Sequence, residues 1–131
     1  MSITFEADLE ADSSAVFAHL TDAALLTQWW PTGAETDPRP GGAYHLWWEG
    51  PGWHLRGQYL EVDSPSRLAF TWTWDHETIP ERRVDVAVSQ RDHGAHLTIR
   101  HEAGSEEEGA GYKEGWEHFI GQLQQLLGPD G

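Results

Sequence analysis

From Ala43 to His101 the apolar residues of this chain recur at every second position, and beyond that at every third and fourth. A period of two sends alternate side chains to opposite faces of a strand, and spacings of three and four draw one stripe along a helix. Tyr44, Leu46 and Trp48 share one face against His45, Trp47 and Glu49. Leu68, Phe70, Trp72 and Trp74 oppose Ala69, Thr71 and Thr73, and Val84, Val86 and Val88 oppose Asp85, Ala87 and Ser89. Leu97, Ile99 and His101 mark a further strand. The links Gly50-Pro51-Gly52, Ser64-Pro65-Ser66 and Arg91–Gly94 are tight turns, so the strands pair antiparallel. Within Trp53–Asp63 the apolar phase slips from odd (Trp53, Leu55) to even (Leu60, Val62). A bulge at Gly57 would restore one face, and Tyr59 turns inward if the bulge follows it.

Ile3, Phe5 and Leu9 predict a first strand. Asp12 and Ser13 are N-cap residues for a short helix carrying Val16, Phe17 and Leu20. Thr21 or Asp22 caps a second, Ala23 to Trp29, stopped near Pro31 because proline cannot continue the hydrogen-bond ladder. Three prolines and three glycines between Pro31 and Gly42 predict a loop, as does Asp75–Glu81. Glu102–Gly111 is an acidic connector. A last helix, from about Glu107 to Leu127, carries Tyr112, Trp116, Phe119, Leu123 and Leu126 or Leu127, and Gly128–Gly131 is expected to fray. At the usual rise that helix is ~30 Å long and needs a sheet face to lie on. The order predicts one α+β domain over residues 1–131: a curved antiparallel sheet of about six strands wrapped on the C-terminal helix, with two short helices after strand one.

Twenty-two acidic residues against eight basic ones leave a formal charge of −14. Such a surface repels phosphate backbones and anionic membranes, so neither nucleic acid nor membrane is an expected partner. No apolar run reaches the ~20 residues of a bilayer span, and the N-terminus lacks the pattern of a signal peptide, so a cytoplasmic location is expected. Without cysteine there is no disulfide, thiolate metal site or cysteine nucleophile. The eight histidines do not fall at zinc spacing, and no Gly-x-Ser-x-Gly, phosphate loop or dinucleotide fingerprint occurs. No metal, no cofactor and no catalytic residue is therefore expected. Glu106, Glu107 and Glu108 suit the positive end of the last helix.

Several motifs in order resemble a known family. They are Leu20-Thr21-Asp22 through Gln28-Trp29-Trp30-Pro31, Gly41-Gly42-Ala43-Tyr44, Gly57-Gln58-Tyr59-Leu60-Glu61-Val62 with Pro65, Arg67-Leu68 and Phe70-Thr71-Trp72, and Gly115-Trp116. This set is similar to the activator of 90-kDa heat-shock-protein ATPase-like family, within the START-like (SRPBCC, birch-pollen-allergen) superfamily. Ser64-Pro65-Ser66 departs from the two prolines the family often has. The resemblance implies a helix-grip fold with a space between sheet and C-terminal helix. Eukaryotic co-chaperones of the family usually add a chaperone-docking domain, for which 131 residues leave no room.

Eight tryptophans in so short a chain concentrate attention on that space. Phase directs Trp48, Trp72, Trp74 and Trp116 inward and Trp47 outward, places Trp29 and Trp30 at the helix–loop junction, and leaves Trp53 undecided. The expected lining is Tyr44, Leu46, Trp48, Phe70, Trp72, Trp74, Val86, Leu97, Ile99, His101, Trp116 and Phe119. Those side chains either close on one another as core or wall a cavity for a small hydrophobic or aromatic molecule. Non-catalytic binding there is the leading expectation. One alternative is a stress-response or co-chaperone-like interaction module docking through Trp47 and Trp53. The other is an enzyme of the cyclase, hydrolase or dehydratase kind that some relatives became, which in this chain would use Tyr44, Tyr59 and His101.

Overall fold

A computed structural model describes residues 1–128, so most of the C-terminal segment expected to fray lies outside the described residues. Strand β1 (Ser2–Leu9) leads into helix α1 (Ser13–Thr21), whose first turn is capped by Asp12 Oδ1 accepting the Ala15 N–H at 2.8 Å. Asp22 ends α1 and caps α2 (Ala23–Leu26) by accepting from the N–H groups of Ala24 and Leu25. The second helix is shorter than expected. Its last three predicted residues form a turn in which the Leu26 carbonyl accepts from both Trp29 and Trp30.

Among the described residues the sheet has seven strands, against the expected six or so. The additional one, β2 (Gly33–Thr36), lies in the segment expected to be a loop and pairs antiparallel with β3 (Ala43–Trp48). The prolines that suggested a loop flank β2 without interrupting it, which suits a short edge strand. Gly33 lies directly against the Trp47 ring, leaving no space for a Cβ. The remaining strands are β4 (Trp53–Asp63), β5 (Arg67–Trp74), β6 (Arg82–Arg91) and β7 (Gly94–Glu102). Their spatial order is β1-β7-β6-β5-β4-β3-β2, antiparallel throughout. Helix α3 (Glu106–Leu127) lies on β1 and β7, while α1 packs on β6 and β7. This is the helix-grip arrangement.

The bulge in β4 falls at Leu60, between the pairs Tyr59–Phe70 and Glu61–Ala69, and not at Gly57. Tyr59 therefore faces the concave side and Leu60, the inserted residue, is exposed. Gly57 has a different reason to be small. It stands opposite Tyr44, whose ring fills the space a Cβ would need and whose hydroxyl donates to the Thr71 carbonyl. The core beneath the helices is built from Leu9, Val16, Leu55, Val84, Leu97, Ile99 and Leu123, together with Ile120, which the expected α3 stripe omitted.

Candidate functional site

Because Trp48 and Trp53 are register partners, they share one face of the sheet, and Trp47 shares the other with His54. This settles Trp53 and separates the two residues of the expected docking patch: Trp47 and Trp53 lie on opposite faces and form no common surface. Trp47 sits beside His45 on the outer side, where His45 Nε2 and His54 Nδ1 are 2.8 Å apart. The other seven tryptophans form one connected cluster. Trp30 is its hub, with ring centroids 5.5 Å from Trp29, 5.8 Å from Trp48, 6.0 Å from Trp72 and 5.3 Å from Trp116. Trp74 links to Trp48 at 5.2 Å, Trp72 at 5.7 Å and Trp53 at 6.1 Å. Offset and edge-to-face arrays of this kind gain beyond their buried area, and they hold each ring in one orientation.

Trp30 divides the space between sheet and helices in two. On one side Tyr44, Leu46 and Phe70 enclose about 20 Å³ together with Leu20, Leu26, Tyr59 and Trp30. That is room for roughly one water, so this part is core. On the other side is a cleft of about 150 Å³ lined by Trp30, Trp72, Trp74, Trp116 and Phe119 with Gly111, Tyr112 and Gly115. Trp30 and Trp72 stack on each other within its lining, with ring centroids 6.0 Å apart. Trp74 makes ring contacts with Trp48, Trp53, Trp72 and His76 but with no ring of α3, so the space opens between them. Trp48, Val86, Leu97, Ile99 and His101 line neither space.

Trp30, Tyr112, Gly111 and Gly115 line the cleft without belonging to the lining expected from strand and helix phase. Tyr112 was legible one turn before Trp116 on the same stripe, and Gly111 and Gly115 are one turn apart. Nothing in the local sequence reveals Trp30, because a turn residue takes its direction from the chain around it.

His101 is fully buried and stacks on Tyr112 at 3.7 Å. Its Nδ1 accepts the Trp116 indole N–H at 3.1 Å, which assigns the ring proton to Nε2. Nε2 has no hydrogen-bond partner among the described residues. Trp72, at 4.7 Å and steeply inclined to the imidazole, lies beside the imidazole edge, not over its face. Burial lowers the imidazole pKa to about 3, with Glu108 opposing the shift and Arg82 reinforcing it. His101 is a neutral spacer behind the cluster.

Tyr44 touches Tyr59 and Phe70, and His101 touches Trp72, Tyr112 and Trp116. The two sets share no ring neighbour, so Tyr44, Tyr59 and His101 are not brought together as a catalytic group. Burial raises the phenol pKa of both tyrosines, Tyr59 further through the Asp37 charge and Tyr44 through its neighbours Tyr59 and Glu81.

Arg82 on β6 ties down the start of α3. Its guanidinium donates to both oxygens of Glu108 at 2.7 and 2.9 Å, and the Tyr112 hydroxyl donates to the same carboxylate at 2.8 Å. These hydrogen bonds lower the Glu108 pKa to about 2. Among the described residues no cluster of three histidine or acidic side chains is placed to hold a metal ion, and no helix is long and apolar enough to cross a membrane.

Known proteins of the same architecture are numerous. MLL2253 of Mesorhizobium loti is 21% identical, with 97% of this chain and 96% of that one aligned at a TM-score of 0.86. CV1439 of Chromobacterium violaceum is 26% identical over 98% of both chains, at 0.83. CalU16 of Micromonospora echinospora is also 26% identical, over 98% of this chain and 77% of that one, at 0.83. No curated protein matches. The family model described as activator of Hsp90 ATPase homolog 1-like protein matches residues 10–128, which runs from just after β1 through the end of α3. The chain belongs to the activator of Hsp90 ATPase homolog 1-like family.

Proposed function

We propose that the protein binds one small apolar or aromatic molecule in the cleft between Trp74 and helix α3, without covalent chemistry. The observation that carries this reading is the cleft itself. It is about 150 Å³ in volume and walled by indoles that hold one another rigid. A void of that size with apolar walls accepts a benzene-sized ring. Pre-formed walls also spare a ligand the ordering cost that usually weakens binding. The neutral, fully enclosed His101 behind the walls supports a binding role over acid–base work at neutral pH.

Titration with a panel of single-ring and fused-ring hydrocarbons, followed by tryptophan emission and by melting temperature, tests the reading. Binding shifts both, and Trp72→Ala or Trp116→Ala removes the shifts. A panel that leaves emission and melting unchanged sinks the proposal.

A co-chaperone-like protein-interaction role is the second reading, supported by family membership. Trp53 is its strongest feature: 45% exposed, stacked on His76 and in edge contact with Trp74. On this reading the anchor is Trp53 on the concave side, and Trp47 plays no part in the same surface.

A further inference from the structure

We infer that the outer face of the sheet holds a site for one transition-metal dication, copper(II) or zinc(II), with His45 and His54 as ligands and Glu35 as a third donor. The site lies on the opposite side of the sheet from the cleft and stands independently of the binding role proposed there.

Three adjacent strands bring these side chains together. Glu35 on β2 is the register partner of His45 on β3, and His54 on β4 is the partner of Trp47, two residues along from His45 on the same face. His45 Nε2 and His54 Nδ1 approach to 2.8 Å, with ring centroids 5.1 Å apart and planes inclined by only 23°. The rings therefore meet end to end, with a single proton between the two nitrogens. Imidazole binds copper(II) and zinc(II) through its bare nitrogen, at about 2.0 Å. Two nitrogens at that distance from one ion stand about 2.9 Å apart at a right angle and about 3.3 Å apart at the tetrahedral angle. The spacing in place is close to the first value, so a swing of the two half-buried rings, without backbone movement, turns both lone pairs onto one ion. The shared proton moves to the far nitrogen of its own ring.

Directly paired residues carry Cβ atoms about 5 Å apart, within reach of a glutamate side chain. Glu35 is exposed and forms no ion pair among the described residues, so its carboxylate is free to turn onto the ion. Arg56, the other register neighbour of His45, gives its charge to both oxygens of Asp75 at 3.0 Å. A net charge of −14 draws dications to the surface. Trp47 stands 4.8 Å from the His45 ring, and the close fit of Gly33 keeps that indole in place. The donors come from three strands, so no short spacing in the sequence reveals them.

Calorimetric titration of the tag-free protein with copper(II) and zinc(II) chlorides, with tryptophan emission read in parallel, tests the site. One ion is expected to bind per chain, copper(II) more tightly than zinc(II). Copper(II) should quench part of the emission, and Trp47→Phe should remove that part while keeping the affinity. His45→Gln and His54→Gln should each weaken binding at least about tenfold, since losing even the hydrogen-bond partner of a ligand costs that much. Glu35→Gln should weaken it less. His96→Gln, on β7 between Asp8 and Glu6, should leave it unchanged. Electron paramagnetic resonance of the copper(II) form should show coupling to two imidazole nitrogens, reduced to one in either ligand variant. Should those variants fail to fold, the nitrogen count on the unmodified protein decides alone. No binding, several weak sites of equal strength, coupling to fewer than two nitrogens, or affinity untouched by both ligand substitutions overturns the site. Affinity lost in His96→Gln places the ion between β1 and β7 and overturns it as well, and full affinity in Glu35→Gln removes the third donor.

Discussion

His101 and His96 show how position on one strand sets the charge of two like side chains. Phase alone directed His101 inward, but its neutrality follows from burial and from the indole N–H it accepts, neither of which strand phase specifies. Unfolded, the imidazole has a pKa of about 6.5; folded, it is about 3. Between those values the unfolded chain binds the extra proton, so His101 makes the protein less stable as pH falls below about 6.5, at ~1.4 kcal/mol per unit. We expect urea unfolding to show a loss of about 2 kcal/mol from pH 7 to pH 5 attributable to this residue. His101→Gln, whose amide oxygen can still accept from Trp116, should flatten that slope; an unchanged slope would refute the assignment. His96 works in the opposite sense. Hydrogen bonds to Asp8 and Glu6 raise its pKa, so its contribution is complete below about 6.5 and fades as pH rises through the raised value.

At the level of elements, α3 is a helix weakened by its own composition and restored by its contacts. It contains Gly109, Gly111, Gly115 and Gly121 among 22 residues, each less favourable than alanine by roughly 1 kcal/mol in a helix interior. Only Gly109 is explained by packing, since Ile3 occupies the space its side chain would need. Ser105 Oγ accepting the Glu108 N–H, three glutamates in the first turn and the paired Arg82–Glu108 hydrogen bonds hold the N-terminal end. The stripe of Trp116, Ile120 and Leu123 holds the rest. Gly115 faces the cleft with open space before it, so stability and binding should respond oppositely there. Gly115→Ala is expected to raise unfolding free energy by up to about 1 kcal/mol and to weaken binding of a single-ring ligand several-fold. A variant stabilised with unaltered affinity would show that the helix wall takes no part in binding. The period of the apolar residues made this helix legible to within one residue at its start. The bulge in β4 was legible as a necessity but misplaced, because a glycine kept small by the Tyr44 ring looks in sequence like a glycine at a bulge.

Across the whole molecule, charge and topology act together. Among the described residues four of the eight basic side chains form ion pairs with side-chain carboxylates, at nitrogen–oxygen distances of 2.7–3.0 Å, so most of the acidic side chains have no basic partner there. Raising ionic strength from 20 to 200 mM shortens the screening length from about 20 Å to about 7 Å. The melting temperature should rise by a few degrees, and a fall would show that attractive pairs outweigh self-repulsion. By itself the sequence determined the α+β class, the antiparallel pairing of consecutive strands, the two helix starts (narrowed to Asp12 or Ser13 and to Thr21 or Asp22) and the inward faces of β3, β5, β6 and β7. Each of these follows from a period or from a cap within a few residues, so local chemistry suffices. Tertiary structure alone decided that Gly33–Thr36 joins the sheet, that Trp53 and Trp47 part to opposite faces, and that Trp30 splits the interior into core and cleft. Those outcomes depend on cross-strand register and on where a turn aims a ring, which are settled only when distant segments pack against one another.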